Sequence, residues 1–190
     1  MASEFQRGKL VYMFRAFDTD DDGYLDRRDF QALAERWKRL PRVRPGSGLA
    51  ADVDRVLLGW WDHLAAHVDT DKDGRIDLDE LLVMVDRLPT MREAVAATAE
   101  TVFDAVDEDG DGRISAAEHR RLVDTWHGGS VDVADVFDHL DQDGDGYLGR
   151  PEFTELWIQF WTSDDPAEPG NRLCGPVPAR TQRPICDRPS

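Results

Sequence analysis

The sequence predicts an all-α protein built from four helix–loop–helix units, and three observations lead to this fold class. An acidic twelve-residue segment with a glycine at its centre occurs four times in the 190 residues. Hydrophobic residues at helical spacing flank each copy. Prolines fall mainly between the units or after the last one, where they end helices and form connections.

Each copy of the segment has the same pattern of acidic residues. Aspartate occupies positions one, three and five, glycine position six, an aliphatic residue position eight and an acid position twelve. This is the signature of an EF-hand calcium loop, because Ca²⁺ takes about six to eight oxygen ligands and needs several carboxylates that converge on one point. Loops one to four cover residues 18–29, 69–80, 107–118 and 141–152.

The pattern assigns a metal ligand to nearly every odd-numbered position. Position seven supplies a backbone carbonyl oxygen, and the acid at position twelve closes the coordination shell. Position nine is acidic in loops one and two, whereas Ser115 and Gly149 leave that place to water in loops three and four. The predicted metal ligands are Asp18, Asp20, Asp22, Tyr24, Asp26, Asp29, Asp69, Asp71, Asp73, Arg75, Asp77, Glu80, Asp107, Asp109, Asp111, Arg113, Glu118, Asp141, Asp143, Asp145, Tyr147 and Glu152.

These loops account for the charge of the chain. The 39 acidic and 23 basic side chains give a net charge of −16. Five ligand carboxylates in each of loops one and two, and four in each of loops three and four, make up 18 of the acids, so the remaining 21 nearly balance the bases. So acidic a chain is not expected to bind nucleic acid. The sequence has no apolar run long enough to span a membrane, and its N-terminus lacks the apolar core of a signal peptide. We therefore expect a cytoplasmic protein that does not enter the membrane.

Hydrophobic spacing predicts where the flanking helices lie. The helix after loop two is expected to continue through Leu88, where Pro89 and Thr90 would end it and cap the next helix. The helix before loop four is expected to start near Val133. The proline- and glycine-rich stretch 41–50 between the first two units is predicted to be a surface loop.

The loops, the long first connection and the C-terminal segment together resemble the sarcoplasmic calcium-binding protein family, including its bacterial calerythrin-type members. Residues 164–175 read DDPAEPGNRLCG and are similar to the ends of such proteins. The resemblance implies two EF-hand pairs that pack compactly, with a short antiparallel bridge at position eight of the paired loops. We therefore expect an N-terminal pair over 1–89, a C-terminal pair over 90–161 and a proline-rich tail over 162–190 whose last part is disordered.

Loop one departs from the family pattern at its last position. Asp29 stands where the other loops have glutamate. Its shorter side chain requires the loop to contract or leaves the carboxylate monodentate, and the smaller octahedral shell of Mg²⁺ suits such a site better. We therefore expect up to four Ca²⁺ ions, with Mg²⁺ also bound at residues 18–29.

Several functional alternatives follow from this reading. The principal one is an intracellular, monomeric calcium buffer or signalling protein, since only Met1, Met13, Met84 and Met91 are available for the Met-rich groove of a calcium sensor. A sensor acting on an unidentified protein target, and a calcium-gated binder of a small aromatic ligand between the two pairs, are the alternatives. No catalytic constellation is evident, so an enzyme is not expected.

Two further residue pairs, one of histidines and one of cysteines, suggest a second metal site and a disulfide. His63 and His67 stand four residues apart on one predicted helix and could bind a transition metal, although surface histidines are the simpler interpretation. Cys174 and Cys186 could form a disulfide in the tail, although free thiols are expected in the cytoplasm.

Overall fold

The structure, a computed structural model, describes residues 3–133 and 135–177. The described part is mostly helical, which confirms the predicted fold class. The α-helices are α1 (Glu4–Phe17), α2 (Arg27–Trp37), α3 (Gly48–His67), α4 (Leu78–Val83), α5 (Arg92–Val106), α6 (Ala116–His127), α7 (Phe137–Leu140) and α8 (Arg150–Thr162), with strands β1 (Arg113–Ser115) and β2 (Tyr147–Gly149). Each described helix is too short or too polar to span a membrane. The disorder expected for the end of the tail falls outside the described residues.

The loops pair through position eight, as predicted. Leu25 and Ile76 form an isolated antiparallel bridge, with N–H···O distances of 2.8 and 2.9 Å in the two directions. In the second pair β1 and β2 are antiparallel, with Ile114 opposite Leu148. All four side chains are fully buried, so the backbone bridge that joins two loops also anchors them to the hydrophobic core.

The core contains an aromatic cluster to which both halves contribute. Its members are Phe17, Trp60, Trp126, Trp157 and Trp161. Trp60 of α3 stacks on Trp126 of α6, with ring centroids 5.9 Å apart and planes at 5°. Phe17 of α1 lies 5.6 Å from Trp126. The two EF-hand pairs therefore pack directly against each other, as the resemblance implied.

Two of the predicted helices are shorter than expected. The helix after loop two, α4, ends at Val83, and 3₁₀ turns cover Met84–Asp86 and Leu88–Met91. Pro89 lacks an N–H, so an α-helix is not expected to run through it, but α4 already ends six residues earlier, at Val83. Thr90 is not the cap of the next helix, because its hydroxyl donates to the carbonyl of Arg87 at 2.6 Å and α5 begins after Met91 without a side-chain cap.

The helix before loop four, α7, covers four residues, Phe137–Leu140, and does not start near Val133. Val131, Val133 and Val136 precede it, and β-branched side chains lose χ1 freedom in a helix. Val133 and Val136 are nevertheless buried, so the hydrophobic spacing identified core positions correctly while misassigning the backbone.

The stretch 41–50 is a loop up to Ser47, and half of its residues are exposed, as expected of a surface connection. Val43 is 2% exposed, and Ala50 is also buried. Helix α3 already begins at Gly48, where the Ser47 side chain accepts a hydrogen bond from the N–H of Ala50. The first connection therefore lies at the surface, with Val43 anchoring it to the core.

The described part of the tail, up to residue 177, packs on the core and is held there by polar groups of the helices. The ammonium group of Lys9 in α1 donates to the carbonyls of Phe160 and Ser163, at 2.7 and 2.5 Å, and to Oδ1 of Asn171 at 2.8 Å. Nε2 of His119 lies 2.9 Å from the carbonyl oxygen of Leu173. These contacts join the N-terminal helix and α6 to residues 163–173 of the tail.

The tail also fills space in the core. Leu173 and Cys174 are completely buried, and Cys174 is a free thiol whose pKa burial raises. Its proposed partner Cys186 lies outside the described residues. Gly170, in the 3₁₀ turn Pro169–Arg172, packs so closely on α8 that an added Cβ would lie 2.4 Å from the carbonyl oxygen of Leu156.

The packing of Gly170 predicts that Gly170→Ala lowers the free energy of unfolding by about 1–3 kcal/mol, because the methyl group would push the tail off α8. Gly129→Ala is the matched control, since nothing lies within 4 Å of the added carbon there. Urea unfolding of both variants measures the difference. Equal losses would show that the tail is not packed in this way.

Candidate metal centres

The four loops share one backbone geometry, which holds the first carboxylate. The glycine at position six has a positive φ in each loop, 85°, 82°, 83° and 86°. Its N–H donates to Oδ2 of the aspartate at position one over 2.8 to 3.2 Å. The glycines are Gly23, Gly74, Gly112 and Gly146. A side chain would strain this turn, which explains why glycine recurs at the same place.

Carboxylate oxygens converge in every loop within 4.8 Å of one another. Loops one and two bring together the aspartates at positions one, three and five, whereas loops three and four bring together positions one, three and twelve. The converging residues are Asp18, Asp20 and Asp22; Asp69, Asp71 and Asp73; Asp107, Asp109 and Glu118; and Asp141, Asp143 and Glu152. The remaining predicted ligands lie in the same loops outside these clusters.

The acid at position twelve connects the two ends of its loop. It accepts a hydrogen bond from the N–H of position two in each loop, at 2.8 or 2.9 Å. In loops one to three it also accepts the N–H of position nine and completes a capping box at the start of the following helix. Asp29 makes both contacts in loop one despite its shorter side chain.

The donor set fits a hard cation. In the described part of the chain, the converging atoms are carboxylate oxygens, with no nitrogen or sulfur among them. Oδ1 of Asp69 is buried and has no hydrogen-bond partner among the described residues, while its Oδ2 accepts from Gly74. A buried carboxylate oxygen left without a donor is suited to a cation, and oxygen donors are those that Ca²⁺ and Mg²⁺ prefer.

Local surroundings shift the pKa values of some of these acids. Burial raises the pKa of Asp18 and of Glu152, and the N–H groups that bond to each carboxylate oppose that rise only in part. The N–H of Thr70 lowers the pKa of Glu80. Since only the ionised form can ligate a cation, a raised pKa makes binding in loops one and four more sensitive to acid.

The side chains at position seven pair across each bridge. The guanidinium of Arg75 lies 5.4 Å from the ring centroid of Tyr24, and that of Arg113 lies 5.3 Å from the ring centroid of Tyr147. Sequence reasoning assigned position seven only a backbone carbonyl ligand, and it missed these cation–π contacts. The signal was available, because each pair of loops has one tyrosine and one arginine at that position.

His63 and His67 do not form part of a metal cluster in the described structure. Both are exposed, their rings stack with centroids 4.4 Å apart, and Nδ1 of His67 bonds to the carbonyl of His63. No third ligand accompanies them among the described residues. They are surface histidines, as the simpler interpretation held.

An apolar cavity of about 300 Å³ lies between the helices of both halves. Leu10, Met13 and Phe17 of α1 line one side, and Trp161 of α8 lines another. Trp60 and His63 of α3 and Thr98 of α5 provide its aromatic and polar surface. Its volume is that of a small organic molecule.

Comparison with known proteins agrees with this geometry. Residues 8–85 and 96–158 match the family of EF-hand domain pairs. The chain is 31% identical over 122 residues to the sarcoplasmic calcium-binding protein alpha-B and -A chains of a Penaeus species, a match that covers 59% of this chain and 62% of that protein. It is 26% identical over 183 residues to the Penaeus beta chain, covering 89% of this chain and 95% of that one.

Solved structures are similar in fold. A Streptomyces coelicolor calcium-binding protein is 28% identical to this chain, and its structure is described as the structural basis for prokaryotic calcium-mediated regulation. The TM-score is 0.65, and the match covers 81% of this chain and 96% of that one. The sarcoplasmic calcium-binding protein of amphioxus is 21% identical with a TM-score of 0.67, over 94% of this chain and 100% of its own. The compact arrangement of the four units is therefore shared with these proteins.

Proposed function

The chain belongs to the EF-hand domain-pair family of calcium-binding proteins, and on this premise we propose that each of its four loops binds one ion and that the protein is a calcium buffer. The observation that carries the proposal is the convergence of carboxylate oxygens within 4.8 Å in all four loops. The ligands in this proposal are those that the loop pattern assigns, including the backbone carbonyls of position seven.

The chemistry of each site is that of charge neutralisation. Four or five carboxylates in one loop repel each other, and a divalent cation replaces that repulsion by attraction. The N–H of the central glycine holds the first carboxylate, while the acid at position twelve links the loop to the helix that follows. Binding therefore tightens a loop whose backbone is already shaped for it.

The closed surface supports a buffer over a sensor. A calmodulin-type sensor opens a hydrophobic groove rich in methionine. Here Met13 and Met84 are buried, and the tail covers the core with Leu173 and Cys174. Among the described residues the large hydrophobic side chains that are exposed are Tyr24, Val83 and Tyr147, and the two tyrosines belong to the loops themselves. As part of this proposal, the protein is a cytoplasmic monomer, is not an enzyme and does not require a protein target.

Calorimetric titration of the full chain with Ca²⁺ is expected to give four bound ions. Glu80→Gln, Glu118→Gln and Glu152→Gln should each remove one, because the substituted side chain loses the charge that closes the shell. Glu93→Gln, at an exposed position on α5 away from the loops, is the control and should leave the count at four. If all three loop variants still bound four ions, the assignment of the position-twelve glutamates as calcium ligands would be contradicted.

For loop one we expect Asp29→Glu to raise the affinity for Ca²⁺ by about tenfold, equivalent to about 1.4 kcal/mol, and to weaken competition by Mg²⁺, because the longer acid can ligate with both oxygens. Glu118→Asp in loop three is the reciprocal control and should shift preference toward Mg²⁺. Calcium titrations with and without Mg²⁺ measure both. Unchanged affinities in the Asp29 variant would remove the basis for a mixed site.

A second candidate function rests on the cavity. We propose that it takes a small apolar or aromatic ligand, which the tryptophans Trp60 and Trp161 would contact and His63 or Thr98 would orient. The cavity is lined by both halves, so movement of the hands on calcium binding would alter its shape. Ligand binding would in that case depend on calcium.

Gly59 offers a direct test, because it lines the cavity and nothing lies within 4 Å of a Cβ added there. We expect anilinonaphthalene sulfonate to quench tryptophan fluorescence in the wild type, and Gly59→Leu to abolish the effect by filling the cavity. Ala66→Leu, at an exposed position of the same helix, should behave as the wild type. Dye binding that is equal in the two variants would place the dye elsewhere, and comparison with and without Ca²⁺ tests the coupling.

A further inference from the structure

An arginine from the N-terminal half reaches into loop three of the C-terminal half. Arg42 follows α2 in the first connection, and its Nη1 lies 2.7 Å from Oδ2 of Asp107. The same nitrogen donates to the backbone carbonyl of Asp107 at 2.7 Å. The side chain of Asp107 is 1% exposed and that of Arg42 34%, so this contact is shielded from water on the carboxylate side.

Asp107 is the first residue of loop three, and both of its carboxylate oxygens are already engaged. Oδ1 accepts the N–H of Gly110 at 2.8 Å, and Oδ2 accepts the N–H of Gly112 at 3.2 Å. The guanidinium adds a full positive charge to this arrangement. In the part of the chain that the structure describes, loop three is the only loop whose first carboxylate forms an ion pair; Arg75 instead approaches the fifth residue of loop one, Asp22, at 3.6 Å.

A second arginine of the N-terminal half, Arg36, contacts the other end of the third EF-hand. Nη1 of Arg36, on the last turn of α2, donates to the carbonyls of Thr125 and Trp126 at 3.3 and 2.9 Å. These carbonyls are at the C-terminus of α6, the helix that leaves loop three, where a cation is favourable. The third EF-hand is therefore contacted at two places. Arg42 contacts the start of its loop, and Arg36 contacts the end of its second helix, α6.

We propose that Arg42 is a built-in counter-charge of loop three, which lowers the affinity of this loop for Ca²⁺ and links its occupancy to the contact between the two halves. The inference rests on the proposed calcium-binding function of loop three. When the loop holds no ion, the guanidinium offsets the repulsion among Asp107, Asp109, Asp111 and Glu118. A Ca²⁺ ion held by Asp107 would bring a second positive charge to the same carboxylate.

The sign of the effect follows from this difference between the two states. Attraction to Asp107 stabilises the ion-free loop, and repulsion between the guanidinium and a cation bound by the same carboxylate would weaken the ion-bound one. Both contributions reduce the free energy gained on binding. Linkage requires the reverse as well: Ca²⁺ in loop three must weaken the hold of Arg42, and with it the attachment of residues 41–50.

The experiment follows each loop separately in the full chain. The amide N–H of the position-six glycine bonds to the first ligand, so Gly112 reports on loop three while Gly23, Gly74 and Gly146 report on the others. Glycine-labelled protein is titrated with Ca²⁺ by nuclear magnetic resonance. The variants are Arg42→Gln, which removes the charge, Arg42→Lys, which keeps it, and Arg44→Gln, an exposed arginine two residues further on, as the control.

We expect Arg42→Gln to raise the affinity reported by Gly112 by about five- to tenfold and to leave the other three glycines unchanged. Arg42→Lys and Arg44→Gln should stay close to the wild type. In excess chelator, Arg42→Gln should melt at a lower temperature than Arg44→Gln, because the ion-free loop loses its counter-charge. If Arg42 had a purely structural role, Arg42→Gln would lower the calcium affinity of loop three, and Arg42→Lys would not restore it.

The outcomes separate this inference from the function on which it rests. If Gly112 does not respond to Ca²⁺ in the wild type, loop three is not a calcium site and the proposed function fails there. If Gly112 responds and Glu118→Gln abolishes the response, the site is real. An Arg42→Gln affinity that then equals or falls below that of Arg44→Gln would overturn the counter-charge.

Discussion

Repulsion among carboxylates packed into twelve-residue loops is the constraint that the rest of the structure accommodates. Backbone N–H groups provide the first response, since the central glycine and position two donate to the acids at the two ends of each loop. Burial of the position-eight residues then fixes both loops of a pair to one core. The loops are thus held in a binding shape by interactions that do not themselves require the ion.

Much of this arrangement could be predicted from the sequence because it is local. A calcium loop needs its ligands within twelve residues, so the spacing of Asp107, Gly112 and Glu118 determines the fold of that segment. The bridge between Ile114 and Leu148 follows from the same pattern once two loops are known to pair. Leu88 and Val133 are buried, as their hydrophobic spacing predicted, although the backbone around both differs from the predicted helices.

The features that sequence reasoning missed depend on contacts between distant residues. Nothing in the stretch 41–50 indicates that Arg42 meets Asp107, because the contact exists only when the two halves have packed. The same holds for Lys9, which bonds to residues more than 150 positions away. A basic residue in a connection or on a helix has many potential partners, and only the packed core selects one. The division of the chain at residue 89 likewise remains a prediction.

The shared aromatic cluster has a consequence for how the molecule loses its structure. Trp60 belongs to the first half and Trp126 and Trp157 to the second, and their rings contact one another. The two halves cannot separate without exposing indole surface of both, which favours their unfolding as a single cooperative unit. We therefore expect thermal unfolding to occur as one transition in which all four loops are lost together, so that an ion bound in one loop would also stabilise the other half.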